Sequence, residues 1–161
     1  MAITVGQKLP GATMLVMGAN GPEAVDLGAK LKGRKVVLFG LPGAFTGTCS
    51  VTHLPSFIRT SGKFRAKGVD EIICISVNDP FVLKAWDEAT GAGKGGVTLL
   101  GDSEGAFTKA IGMDFSAAQI GLLGRSSRYA AVVEDGVVTH VQIDKPGECN
   151  ISTGEALLEA V

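Results

Sequence analysis

The chain has 161 residues, 45% of them hydrophobic and 19% charged, and its formal net charge is −1. That length suits one domain with a sizeable core, expected over residues 1–161. A charge near zero argues against nucleic acid or an anionic membrane as the main partner, and no run is long and apolar enough to span a bilayer.

Three cysteines at irregular spacing make no disulfide framework, so a reducing compartment, the cytoplasm, is expected. The first residues lack a charged segment followed by an apolar one; an organellar form with its transit peptide removed stays open.

In chain order, turns at residues 9–11 and 18–22 frame an expected strand at 13–17, with 24–27 as its pairing partner. Leu27 and Leu31 lie one turn apart and would face inward from a helical turn over 28–33. Lys30, Lys32, Arg34 and Lys35 are expected to form a solvated face. Residues 36–41 form an apolar, β-branched and aromatic run that reads as a buried strand. Val51, Leu54, Phe57, Ile58 and Phe64 then recur at helical spacing, which predicts a helix from about 48 to 66. A second apolar strand follows over 71–77. Asp79 as N-cap and Pro80 in the first turn start a helix whose buried face would be Val82, Ala85, Trp86 and Ala89. Residues 91–96 formally match G-x-G-x-x-G, but they follow a helix and precede a strand, the reverse of a dinucleotide site, and read as a connection. A third strand at 97–100 leads to a short helix carrying Phe107 and Ile111. Asp135-Gly136 joins two apolar runs, 129–134 and 137–143, as a hairpin. Ser152 is expected to cap a last helix with Ala156, Leu157 and Ala160 inward. This order implies an α/β sheet covered on both faces.

The stretch 41–50 lies between the first strong strand and its helix, and Cys49 falls about where the helix begins. Unpaired N–H groups and the positive end of the helix dipole favour an anion there, so the thiol loses its proton more easily. The thiolate is the nucleophile. Pro42 stiffens the loop. Thr46, about one turn before Cys49, can turn its hydroxyl toward the sulfur, both donating and accepting. Such a set suits a small substrate with an O–O bond; a buried, inert cysteine behind an ordinary threonine cap is the competing reading.

Pro42-Gly-Ala-Phe-Thr-x-x-Cys-Ser50, followed by Thr52-His53-Leu54-Pro55, resembles the active-site segment of the type II peroxiredoxins, the branch with atypical two-cysteine and glutaredoxin-linked members. The likeness continues through 75–79, 100–107 and 128–133. It implies a thioredoxin-like fold, a central mixed sheet with helices on both faces. It also implies a peroxidase that reduces hydrogen peroxide and alkyl hydroperoxides through a Cys49 sulfenic acid, with no cofactor and no metal. It carries the family's active-site arginine onto Arg128, and a dimer contact onto the neighbourhood of Phe45 and Phe81. Phe45, Phe81 and Thr48, with Pro42 and Pro80, are candidates for the pocket rim. One departure is Gly47, where many relatives carry a second proline, which implies more freedom in the loop.

Two cysteines are candidates to resolve the sulfenic acid. Cys74 lies in an apolar strand and reads as a small buried hydrophobe. Cys149 lies in a polar, turn-like loop and is similar in position to the late resolving cysteine of the atypical members, although its surroundings match them poorly. The expected donor is glutathione with glutaredoxin, acting on Cys49 directly; a thioredoxin-linked cycle through Cys149 or Cys74 is the alternative. His53 reads as a packing or hydrogen-bonding residue. A Cys-His hydrolase would need it as base, and no orienting partner is recognisable. A non-catalytic thioredoxin-like redox sensor or chaperone would consume no peroxide.

Overall fold

In this computed structural model residues 2–161 are described, with the backbone alone for Cys49 and Ser50. The elements are β1 (Thr13–Gly18), β2 (Gly21–Asp26), α1 (Leu27–Leu31), β3 (Lys35–Leu41), a π-helical turn (Cys49–His53), α2 (Leu54–Ala66), β4 (Glu71–Ser76) and α3 (Pro80–Thr90). They continue with β5 (Val97–Gly101), α4 (Ala106–Ala110), β6 (Asp114–Ala117), a 3-10 turn (Ala118–Ile120), β7 (Leu122–Ser126), β8 (Tyr129–Glu134), β9 (Val137–Ile143) and α5 (Gly154–Ala160).

One sheet runs in the order β2-β1-β5-β4-β3-β8-β9, and β6 with β7 forms a separate hairpin. β3, β4 and β5 pair in parallel, while β8 lies antiparallel to β3. A parallel centre must be covered on both faces, so its strands carry unbroken apolar runs. One face of the sheet, with Val37, Phe39 and Cys74, packs against Phe57, Phe64, Trp86 and Leu157 of α2, α3 and α5. The other, with Leu38, Ile73 and Ala131, packs against Leu27 and Leu31 of α1, Phe107 of α4 and Ile111 just after it. The thioredoxin-like α/β arrangement is therefore present, with helices on both faces.

Several local expectations need correction. The helix over 48–66 is not uniform: it contains the π turn at Cys49–His53. Pro55 lies in the first turn of α2. It has no N–H, and in a regular α-helix its ring would meet the carbonyl of Val51; a wider turn relieves that clash. The wider turn also shifts the helical phase, so Val51 is 73% exposed instead of joining Leu54 and Phe57 inside. In α3 the buried residues are Pro80, Leu83 and Trp86, while Ala85 and Ala89 face solvent. Thr153, not Ser152, caps α5, its side chain accepting from Ala156 N. Leu157 is buried there, but Ala160 is exposed. Lys30 and Arg34 are not simply solvated: both pair with Glu71, at 3.0 and 2.9 Å. Burial alone would raise the Glu71 pKa, but Lys30, the Thr98 hydroxyl and Arg34 outweigh it and hold the carboxyl below its ordinary value.

Candidate functional site

β3 and β4 are parallel, so both deliver their C-terminal ends to one edge of the sheet, where ligand sites of open α/β sheets form. β3 ends at Leu41 and releases Pro42; β4 ends at Ser76, two residues before Asn78. The loop is then clamped from both sides. Asn78 Oδ1 accepts from Ala44 N at 3.0 Å and is itself fixed by the Ser76 hydroxyl. Arg125 of β7 donates from Nη1 to Pro42 O at 3.0 Å. The Thr46 hydroxyl donates to Gly43 O at 2.7 Å, which leaves its lone pairs free to accept. Phe45 closes the turn at φ 63°, a left-handed backbone that a bulky side chain adopts only under strain. The backbone is helical from Gly47, ahead of the looser loop expected there.

Cys49 opens the π turn immediately downstream; its side chain lies outside the described residues. Turns of this kind occur often at functional sites. Arg128 precedes β8, whose Tyr129 pairs with Gly40 of β3, so the antiparallel register brings Arg128 to the level of the Pro42 loop. A side chain on Gly40 would press into the Tyr129 ring, 2.8 Å from Cζ. Glycine there lets β8 approach closely.

His53, the last residue of the π turn, is completely buried against Phe39 and Phe57. Its Nε2 meets Ser152 O at 2.9 Å. A carbonyl can only accept, so the proton sits on Nε2; Nδ1 has no partner among the described residues. Burial pushes its pKa down from 6.5 to about 4, opposed by the Ser152 carbonyl, deepened by the Arg128 charge and opposed again by Asp144. His53 is thus neutral at physiological pH, which leaves Arg128 as the fixed cation beside this turn. Among the described residues no Asp or Asn bonds to the ring as a base would require, in keeping with a packing and hydrogen-bonding role.

Phe45, Thr48 and Phe81 are exposed, as rim residues would be, whereas Pro80 is buried in α3. Cys74 is fully buried in the middle of β4, between Phe39 and Leu99 on the neighbouring strands. Cys149 is half-buried in the loop after β9. Sequence reasoning missed Asn78, Ser76 and Arg125, the groups that hold the loop. Their only signal was polarity at the end of an apolar strand or inside an unrecognised hairpin. Among the described residues no His, Cys, Asp or Glu cluster could hold a metal. Among the described residues no helix is long and apolar enough to cross a membrane.

Residues 4–158 match the Redoxin family model. The chain is 46% identical over 163 aligned residues to a chloroplastic peroxiredoxin-2E-2 of Oryza sativa, covering 99% of this chain and 72% of that one. It is 39% identical over 160 residues to peroxiredoxin-2D of Arabidopsis thaliana, covering 99% and 98%. Among solved structures, reduced Prx3 of Vibrio vulnificus in complex with hydrogen peroxide superposes with a TM-score of 0.91 at 42% identity, covering 98% of both chains.

Proposed function

The chain belongs to the type II branch of the peroxiredoxin family and is a thiol-dependent peroxidase, and from that premise we propose how its residues divide the work. The Cys49 thiolate attacks the terminal oxygen of a hydroperoxide. The O–O bond breaks, water or an alcohol leaves with a proton, and the sulfur becomes a sulfenic acid. Thr46 orients the peroxide, Pro42 shapes the loop, and Arg128 stabilises both the thiolate and the charge developing on the leaving oxygen. Phe45, Phe81 and Thr48 form the rim. The observation that carries this reading is the doubly clamped Pro42–Thr46 loop, delivered by β3 directly before the helical turn of Cys49.

For the second half of the cycle, glutathione condenses with the sulfenic acid, giving a mixed disulfide and water, and a further thiol or glutaredoxin releases Cys49. Complete burial argues against Cys74 as the resolving group. The half-buried Cys149 keeps a thioredoxin-linked two-cysteine cycle as the competing reading.

Phe45, Val51, Phe81, Ile120 and Leu123 are exposed apolar residues on elements flanking the clamped loop, and they support a homodimer through that face. One domain over residues 1–161 is supported by the continuous sheet. We favour the cytoplasm; a chloroplastic relative makes an organelle the alternative, and fractionation of the host cell distinguishes them.

The deciding experiment is peroxide consumption by Cys49→Ser. Turnover should vanish with every donor while the fold is retained; retained turnover overturns the reading. Parallel assays with glutathione plus glutaredoxin and with thioredoxin separate the two cycles. The favoured one survives Cys149→Ser.

A further inference from the structure

Polar groups from four elements meet in the core beneath the Pro42 loop. Gly40, two residues before Pro42, pairs with Tyr129. A Cβ on Gly40 would lie 2.8 Å from Tyr129 Cζ and 2.9 Å from Ser126 Oγ. The Tyr129 ring therefore lies across β3, with the end of β7 beside its hydroxyl-bearing edge. Tyr129 is completely buried, and its hydroxyl has no partner among the described residues. Two strands away β5 runs out into Asp102, whose N–H continues the ladder by donating to Ser76 O at 2.9 Å. Alternation puts Asp102 on the face of Leu100, which is also the face of Tyr129. The Asp102 carboxylate is buried and accepts from Phe107 N at 3.2 Å and Thr108 N at 2.8 Å, which leaves it further lone pairs. The Thr108 hydroxyl, three bonds from that N–H, is fully buried and also has no partner among the described residues. β7 closes on the same corner: Gly124 O lies 3.3 Å from where a Cβ on Gly105 would stand, and Gly105 N donates to Asp102 O at 2.8 Å. Burial first, then the Cys74 sulfur and the Asp102 carboxylate, push the Tyr129 phenol up, so it is a neutral donor without an acceptor.

Apolar packing does not account for two orphaned hydroxyls around a carboxylate with spare lone pairs, because each buried polar group left unpaired is costly. Internal waters making about three hydrogen bonds satisfy such groups, on the order of one per 27 residues. We propose that Tyr129, Thr108 and Asp102 form a binding site for one internal water, which accepts from the two hydroxyls and donates to the carboxylate. The bound water ties the first residue of β8 to the end of β5 and to α4. It completes the floor under the Pro42 loop with a polar joint where the rest of that face is apolar.

The test is a high-resolution crystal structure of the full chain, combined with denaturant unfolding of Tyr129→Phe, Thr108→Val and the double variant. Each substitution keeps the side chain's shape and removes its hydroxyl. One ordered water should lie about 2.5–3.0 Å from Tyr129 Oη, Thr108 Oγ1 and an Asp102 oxygen, and it should be absent from the double variant. Each single substitution should raise the unfolding equilibrium constant about 5–30-fold, and the second should add clearly less once the first has released the water. A structure with no water touching all three groups, or with either hydroxyl bonded directly to a protein group, overturns the proposal. Additive effects of the two substitutions overturn it as well. If a variant folds poorly, the wild-type crystal structure decides alone.

Discussion

The buried, neutral His53 makes the stability of the fold depend on pH in a window that extends above the ordinary carboxylate range. Its pKa falls from 6.5 in the unfolded chain to about 4 in the folded one. Between those values the unfolded chain binds more protons, so stability rises with pH. His53 therefore costs nothing above pH 6.5, and the penalty grows as pH falls toward 4. The full separation corresponds to about 3.4 kcal/mol, of which about 2 kcal/mol has developed at pH 5. The charges facing the ring pull in opposite senses: Arg128 lowers its pKa and Asp144 raises it. Asp144 itself is raised by burial but lowered further by the Ser152 hydroxyl and the loop amides, so its net shift is downward and its own contribution is lost only below the ordinary carboxylate range. The assay is thermal unfolding of wild type and His53→Gln at pH 7.5 and pH 5. For a chain of this size about 2 kcal/mol corresponds to roughly 4–8 °C in Tm. Wild type should lose that much more than the variant on acidification, every other titrating group being common to both. Parallel losses in the two proteins would refute the buried-neutral assignment.

Arg128→Ala should slow peroxide reduction by ~10²–10³, as for loss of one preorganised charged donor, and should raise the pKa of the reactive thiol, followed by pH-dependent alkylation. Arg125→Ala removes the donor to Pro42 O; kcat/KM for peroxide should fall by roughly 3–10-fold with Tm little changed, the scale of one hydrogen bond. A methyl on Gly154 would lie 2.5 Å from Ser56 O and would also strike Thr60 Oγ1. Gly154→Ala should thus force α5 away from α2 and cost about 1–3 kcal/mol, read from denaturant unfolding.

Strands buried on both faces announce themselves, because nothing polar interrupts them: β3 and β4 were legible to within a residue of their ends. The hairpin at Asp135-Gly136 was equally plain, and the two residues take φ 49° and 79°, the left-handed pair that a tight two-residue loop requires. β6 and β7 were not legible. Their residues are at most half-buried apart from Ser126, so no alternation marks them. The π turn is hidden for a different reason: periodicity assumes one pitch throughout, and on that assumption Val51 faces inward. At the site, Pro42, Thr46 and Cys49 could be read from local spacing, and Arg128 only from resemblance. The partners that fix the loop and the turn could not, since Arg125 lies 83 residues from Pro42 and Ser152 lies 99 from His53.

Pro55 carries a further consequence. If this residue were alanine, the missing N–H would return, the clash with the Val51 carbonyl would disappear, and a single α-helical pitch could run from Gly47 to Ala66. Removing one residue's worth of extra winding would rotate the turn of Cys49 by ~100° relative to α2, and its backbone would swing relative to the clamped Pro42–Thr46 loop. Pro55→Ala is therefore expected to melt at a higher temperature and to react more slowly with peroxide. The helix is kept out of its own best geometry, and in this corner of the molecule durability and reactivity are set against each other by one imino acid.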